Sequence, residues 1–153
     1  RVSLIAAKGI LAFVIGAVAM GVLVVATTLL MDANWGAPLG VAVLIVAGVL
    51  SAVGIMGLVA SVAKTPEGAA NLGSIIAVVL GMLGGTFFPI ASTGGVLANL
   101  TYLTPHAWFM RGLAELGSDA PWTAALPAAA AMLVFAIVTG VISYFLLKRR
   151  LTR

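Results

Sequence analysis

Long apolar runs, separated by short polar stretches, dominate this chain. No charged residue falls between Lys8 and Asp32, between Asp32 and Lys64, or between Asp119 and Lys148. A helix needs roughly 20 apolar residues to cross about 30 Å of hydrocarbon. Four stretches reach that length: about 4–30, 39–62, 68–88 and 122–147. The pattern predicts an all-α, integral membrane fold, with four transmembrane helices in one membrane domain over 1–153.

The stretch from Glu67 to Arg111 breaks this rhythm. It carries no charge, is too long for one helix and is short for two helices with a turn. Pro89, Gly94, Gly95 and Pro105 interrupt it, and such residues do not continue helices. A span is therefore expected to end near Phe88, followed by a broken segment over 89–117. Thr104–Pro105 is a helix start, a capping hydroxyl followed by proline at the first helical position, and Gly117 is a stop. A helix of about 12 residues between them measures ~18 Å, too short to span. Non-helical backbone at membrane depth is tolerated only against protein or a watery cavity. The segment thus reads as a re-entrant helical hairpin or outer lid between the last two spans, the alternative being an interfacial, amphipathic loop resting on the outer leaflet. Thr65–Pro66–Glu67 opens the third span with a cap, a proline and an acid in the first turn, and Ser118–Asp119–Ala120–Pro121 is expected to open the fourth similarly.

Composition supports lipid as the solvent. Hydrophobic residues make up 63% of the chain and charged residues 8%, where soluble domains carry about 25% charged. A soluble domain this small could not hide so much apolar surface. The net charge of +4 would suggest nucleic acid in a soluble protein, but its placement sets that partner aside. Arg1, Lys8, Lys64, Lys148, Arg149, Arg150 and Arg153 fall on one side of the four spans. Arg111, with Asp32, Glu115 and Asp119, falls on the other. The excess of Lys and Arg on cytoplasmic loops puts both ends of the chain on the cytoplasmic side of a cell membrane. Trp35, Trp108 and Trp122 then lie at the outer boundary, where indole favours the interfacial belt. The chain begins with Arg1 rather than Met, and its first apolar run is too long for a signal-peptide core; it is expected to be part of a larger polypeptide.

The candidate chemistry is mostly exclusion. No ionisable group lies in the middle of any span, whereas ion-coupled transporters usually place one there. No GxxxxGK[ST] pattern occurs. One histidine, no cysteine and four scattered acids leave no metal cluster or catalytic triad. The chain is expected to be neither an enzyme nor the holder of a cofactor. Gly81 with Gly85, Ala136 with Gly140, and Gly48 with Ala52 have the spacing of close helix contacts in lipid. Arg111 and Glu115 have the i, i+4 spacing of a local salt bridge, and His106 sits beside Pro105 at the outer interface.

Several segments resemble one family in the right order. Gly84–Gly85–Thr86–Phe87–Phe88–Pro89 resembles the glycine–aromatic–proline exit motif of the type-2 ABC exporter permeases. Tyr102–Leu103–Thr104–Pro105–His106–Ala107–Trp108 resembles that family's proline-containing segment before its last helix, and Ala6–Ala7–Lys8–Gly9 its lysine-bearing third-helix start. The resemblance implies the C-terminal four of six helices in the permease subunit of an ATP-driven exporter. It implies a second permease copy in a homo- or heterodimer, and a separate ABC ATPase that binds ATP and magnesium. Arg1, Lys8, Lys64, Thr65, Pro66 and Glu67 would face that ATPase. Gly85, Phe87, Phe88, Pro89, Tyr102, Pro105, Trp108, Arg111 and Glu115 would belong to the exit gate or re-entrant segment. A self-contained ion-coupled exporter and a non-transporting scaffold subunit are the competing readings; the transported substrate is not legible.

Overall fold

The computed structural model describes residues 2–86 and 95–151, so Arg1, Phe87, Phe88 and Pro89 lie outside the described residues. The helices are α1 (Val2–Met31), α2 (Pro38–Val62), α3 (Pro66–Leu83), α4 (Gly95–Leu100), α5 (Pro105–Leu116) and α6 (Leu126–Leu151), with 3₁₀ turns at Thr101–Leu103 and Trp122–Ala125. No strand occurs among the described residues. Four helical runs are long and apolar enough to cross a membrane: Ala7–Met31, Pro38–Val62, Pro66–Leu83 and Trp122–Arg149.

α2 is the centre of the bundle. It packs most extensively against α6 and also touches α1, α3 and α5. Its buried residues Gly40, Leu44, Ala47, Ser51 and Gly54 recur at alternating intervals of four and three, with Ser61 seven residues further on, the 3.5-residue seam that keeps one face toward a neighbour. Small residues bring the two backbones close. A Cβ on Gly54 would collide with Thr139 Oγ1 and stand 2.9 Å from the carbonyl of Ala136, and one on Gly57 would stand 3.1 Å from Ser143 Oγ. Rising numbers on α2 meet rising numbers on α6, so the two helices run parallel. The hydroxyls of this seam are satisfied within their own helices: Ser51 Oγ donates to Gly48 O at 2.8 Å, Ser61 Oγ to Leu58 O at 2.6 Å and Thr139 Oγ1 to Phe135 O at 2.6 Å. In hydrocarbon no water could do it.

Three sequence expectations change here. Of the small-residue pairs, Gly48 and Ala136 do lie at contacts, but Ala52 is exposed and nothing approaches the Cβ position of Gly140 within 4 Å. Gly81 and Gly85 do not share a helix face, because α3 ends at Leu83 rather than near Phe88. Gly85 has φ 81°, its N–H bonds to Met82 O at 3.1 Å, and Thr86 N–H reaches back to Gly81 O at 3.0 Å. This is the paired 6→1 and 5→2 closure of a helix C-terminus, which needs a left-handed residue that glycine adopts without strain. Finally, Ser118 does not cap the last helix. Its Oγ donates to Glu115 O at 2.7 Å, so it closes α5, and the chain enters α6 through the 3₁₀ turn that follows Pro121.

α1 is peripheral: none of its described residues is buried, and Gly16 against Val49 marks its approach to α2. The loop after it is held by Trp35 Nε1, which donates to Thr27 Oγ1 at 3.2 Å.

Candidate functional site

The short helix α5 does not lie apart from the bundle. It runs antiparallel to the first three turns of α2. A Cβ on Gly48 would stand 3.2 Å from the Phe109 ring, one on Gly112 would stand 2.6 Å from Leu44 Cδ2, and one on Gly40 would stand 2.6 Å from Leu116 Cδ2. Leu44 and Leu116, with Ala125 in the 3₁₀ turn and Ala128 and Met132 at the start of α6, lie in the buried apolar core. Gly36, with φ 78°, lies against the carbonyl of Leu116 so closely that no side chain would fit there. The loops at this end of the bundle and α5 are thus one packed unit.

Local chemistry explains why α5 begins where it does. Thr104 Oγ1 accepts from Ala107 N–H at 3.3 Å, and Pro105 occupies the first helical position. The same hydroxyl donates to Thr101 O at 3.0 Å. Thr104 and Pro105 are both buried, so the cap belongs to the interior of the segment. Trp108 Nε1 donates to Tyr102 O at 2.9 Å, and the two rings meet edge to face with centroids 5.5 Å apart.

Arg111 lies over this aromatic pair. Its guanidinium carbon stands 3.3 Å from the Tyr102 ring centroid and 5.5 Å from that of Trp108, and Nη2 donates to Thr101 Oγ1 at 3.4 Å. The i, i+4 salt bridge expected with Glu115 does not form; Glu115 is exposed, and the arginine turns back to the turn preceding α5. Cation–π attraction of this kind contributes about 0.5–2 kcal/mol, more where water is excluded.

α3 and α5 meet at Gly84 and His106. A Cβ on Gly84 would collide with His106 Cβ and come within 3.0 Å of Ala107 N. His106 Nδ1 is buried without a hydrogen-bond partner among the described residues. Burial lowers the pKa of this imidazole below its ordinary 6.5, because desolvation disfavours the charged form. The histidine is neutral at neutral pH.

Of the candidates for the exit gate, the structure brings Tyr102, Trp108 and Arg111 together, buries Pro105 beside them, uses Gly85 to end α3, and leaves Glu115 apart. Thr101 and Leu116 are part of the same construction and carry no local sequence signal, since their importance depends on what packs against them; Gly84, the first residue of the glycine–aromatic–proline run, joins them. At the opposite end, Thr65 Oγ1 accepts from Gly68 N–H at 3.0 Å with Pro66 at the first position of α3. Lys8, Lys64, Thr65, Pro66 and Glu67 are all exposed. The alternation of helix directions puts Lys8 and the 64–67 loop at the same end of the bundle.

Comparison with known proteins points one way. The family profile of ABC-2 family transporter proteins matches residues 1–145. The chain is 32% identical over 128 residues to the linearmycin resistance permease protein LnrN of Bacillus subtilis (strain 168), a match covering 83% of this chain and 33% of that relative. The chain thus spans about a third of the length of the curated relative it matches. No solved structure matches it.

Proposed function

Because the chain belongs to the ABC-2 family of transporter proteins, a family of multi-pass membrane permeases, we propose that it supplies the C-terminal helices of the permease subunit of an ATP-driven exporter. The single observation that carries this reading beyond the family match is the contrast between the spans and their ends. No ionisable residue lies in the middle of α1, α2, α3 or α6, where ion-coupled transporters usually place one. Exposed polar residues at one end, Lys8 and Lys64 to Glu67, offer a contact for an engine on another chain.

In this reading a separate ABC ATPase binds ATP and magnesium, draws its two copies together, and pushes on that end of a permease dimer. The helices tilt about the tight α2–α6 seam. Both ends of the chain face the cytoplasm of a cell-membrane protein, in keeping with the distribution of Lys and Arg. The chain itself performs no catalysis.

We further read α5 as the returning limb of a re-entrant outer segment that closes the exit. Phe109 meets α2 at Gly48, about 15 Å from the N-terminal end of α2 at 1.5 Å per residue. That depth is hard to reconcile with a loop lying flat on the outer leaflet. Resistance to linearmycin, in the relative's name, makes an antibiotic-like compound the first cargo to test.

The test uses the full protein with its ATPase in proteoliposomes or cells. Export that stops when the ATPase is made unable to hydrolyse ATP, and survives collapse of the proton gradient, supports the reading. Export that persists with the inactive ATPase and stops with the gradient would overturn it in favour of an ion-coupled exporter.

A further inference from the structure

Arg111 is a half-buried cation that no anion among the described residues neutralises. The four carboxylate side chains, Asp32, Glu67, Glu115 and Asp119, all lie among the described residues, and none forms an ion pair with it. Its one hydrogen bond there goes to Thr101 at 3.4 Å, near the long limit for such a bond. A guanidinium carries five N–H donors, and aromatic rings steady its charge without accepting those protons in the usual way.

The surrounding polar groups are already committed. Trp108 Nε1 is bonded to Tyr102 O, the Thr101 hydroxyl hydrogen to Ala98 O at 2.7 Å, and the Thr104 hydroxyl to Thr101 O. The cradle is therefore largely fixed before anything binds, and the donors left over belong to the arginine and to the exposed Tyr102 hydroxyl. A planar fork of this kind matches the two oxygens of a phosphate. Arg111 also stands in the half of the bundle opposite Lys8, Lys64, Lys148 and Arg149. Leu100 and Leu103, flanking Tyr102 in the chain, are 40% and 67% exposed, giving apolar surface next to the charge.

We propose that Arg111, Tyr102 and Trp108 form a binding site for the phosphate of an anionic, lipid-like molecule. The outward placement argued above decides only which leaflet it faces. The phosphate could belong to a membrane phospholipid or to a soluble phosphate compound, and the experiment separates them. The full protein in detergent is titrated with water-soluble short-chain phosphatidylglycerol, with phosphatidylcholine of the same chain length, and with inorganic phosphate, following Tm. Phosphatidylglycerol raises Tm saturably in the wild type. Arg111→Gln weakens its apparent affinity about ten-fold, as expected for the loss of a charge-assisted pair, and Arg111→Lys weakens it less. The difference between wild type and R111Q isolates this site from lipid bound at the basic end. Inorganic phosphate matching phosphatidylglycerol in the wild type, with the same R111Q loss, assigns the site to soluble phosphate; phosphatidylglycerol alone acting assigns it to a phospholipid. Equal response of wild type and R111Q to phosphatidylglycerol, with both proteins folded by circular dichroism, would overturn the proposal. None of these outcomes depends on whether the complex exports anything.

Discussion

Gly84 at the end of α3 and His106 in the first turn of α5 occupy space that only a glycine leaves open. A methyl group at position 84 would overlap His106 Cβ and stand 2.9 Å from Leu80 O. The contact joins a spanning helix to the outer segment without a hydrogen bond or a charge. Gly84→Ala therefore separates α3 from α5. A loss of about 1–3 kcal/mol is expected, the usual cost of overpacking a close contact. Thermal unfolding of the full protein measures it, and an unchanged Tm would mean that α5 shifts freely, which the Gly48, Gly112 and Gly36 contacts argue against.

His106 gives the fold a pH dependence of predictable sign. Burial lowers its pKa in the folded protein below the unfolded 6.5. Between the two values the unfolded chain binds a proton that the folded chain does not, so stability rises with pH. Stability is complete above about pH 6.5 and falls as the pH drops through 6.5 toward the lower folded value. His106→Gln should flatten this part of the Tm-against-pH curve relative to wild type. Parallel curves for the two proteins would show that the imidazole titrates as it does in water.

The α2–α6 seam is the least forgiving part of the bundle. Gly54→Val places a branched side chain where Thr139 Oγ1 and the Ala136 backbone already stand. It should cost at least about 1–3 kcal/mol. Ala52→Val, two residues away and exposed, should cost under about 0.5 kcal/mol. Resistance to denaturation in detergent, compared between the pair, tests the assignment of this face.

Orientation can be checked with cysteines because this stretch has none of its own. With the bundle oriented as proposed, Ser118→Cys reacts with a membrane-impermeant maleimide added outside intact cells. Thr65→Cys reacts only after the membrane is opened. The reverse pattern would invert the topology and move the aromatic cradle of Arg111 to the inner leaflet.

The helix starts and the end of α3 illustrate how far local reasoning reaches. Thr65–Pro66 and Thr104–Pro105 were legible as helix starts because a cap needs only a hydroxyl and three following residues, and both hydroxyls accept the expected N–H. The end of α3 was less legible. Gly81 and Gly85 have the spacing of a packing face, yet Gly85 is the left-handed terminator and lies off the helix. Spacing alone cannot distinguish a glycine that admits a neighbouring helix from one that releases the chain.

The sequence by itself determined the solvent, the number of spans and the family, all of which follow from hydropathy and short ordered motifs. Tertiary structure alone decided that Gly54 rather than Ala52 meets α6, and that Arg111 faces Tyr102 rather than Glu115. It also decided that Gly84 and His106, far apart in the chain, share one contact. The physical reason is the same in each case. Partition into lipid is a sum over residues and can be read in order, whereas a close approach depends on which two surfaces the fold brings together.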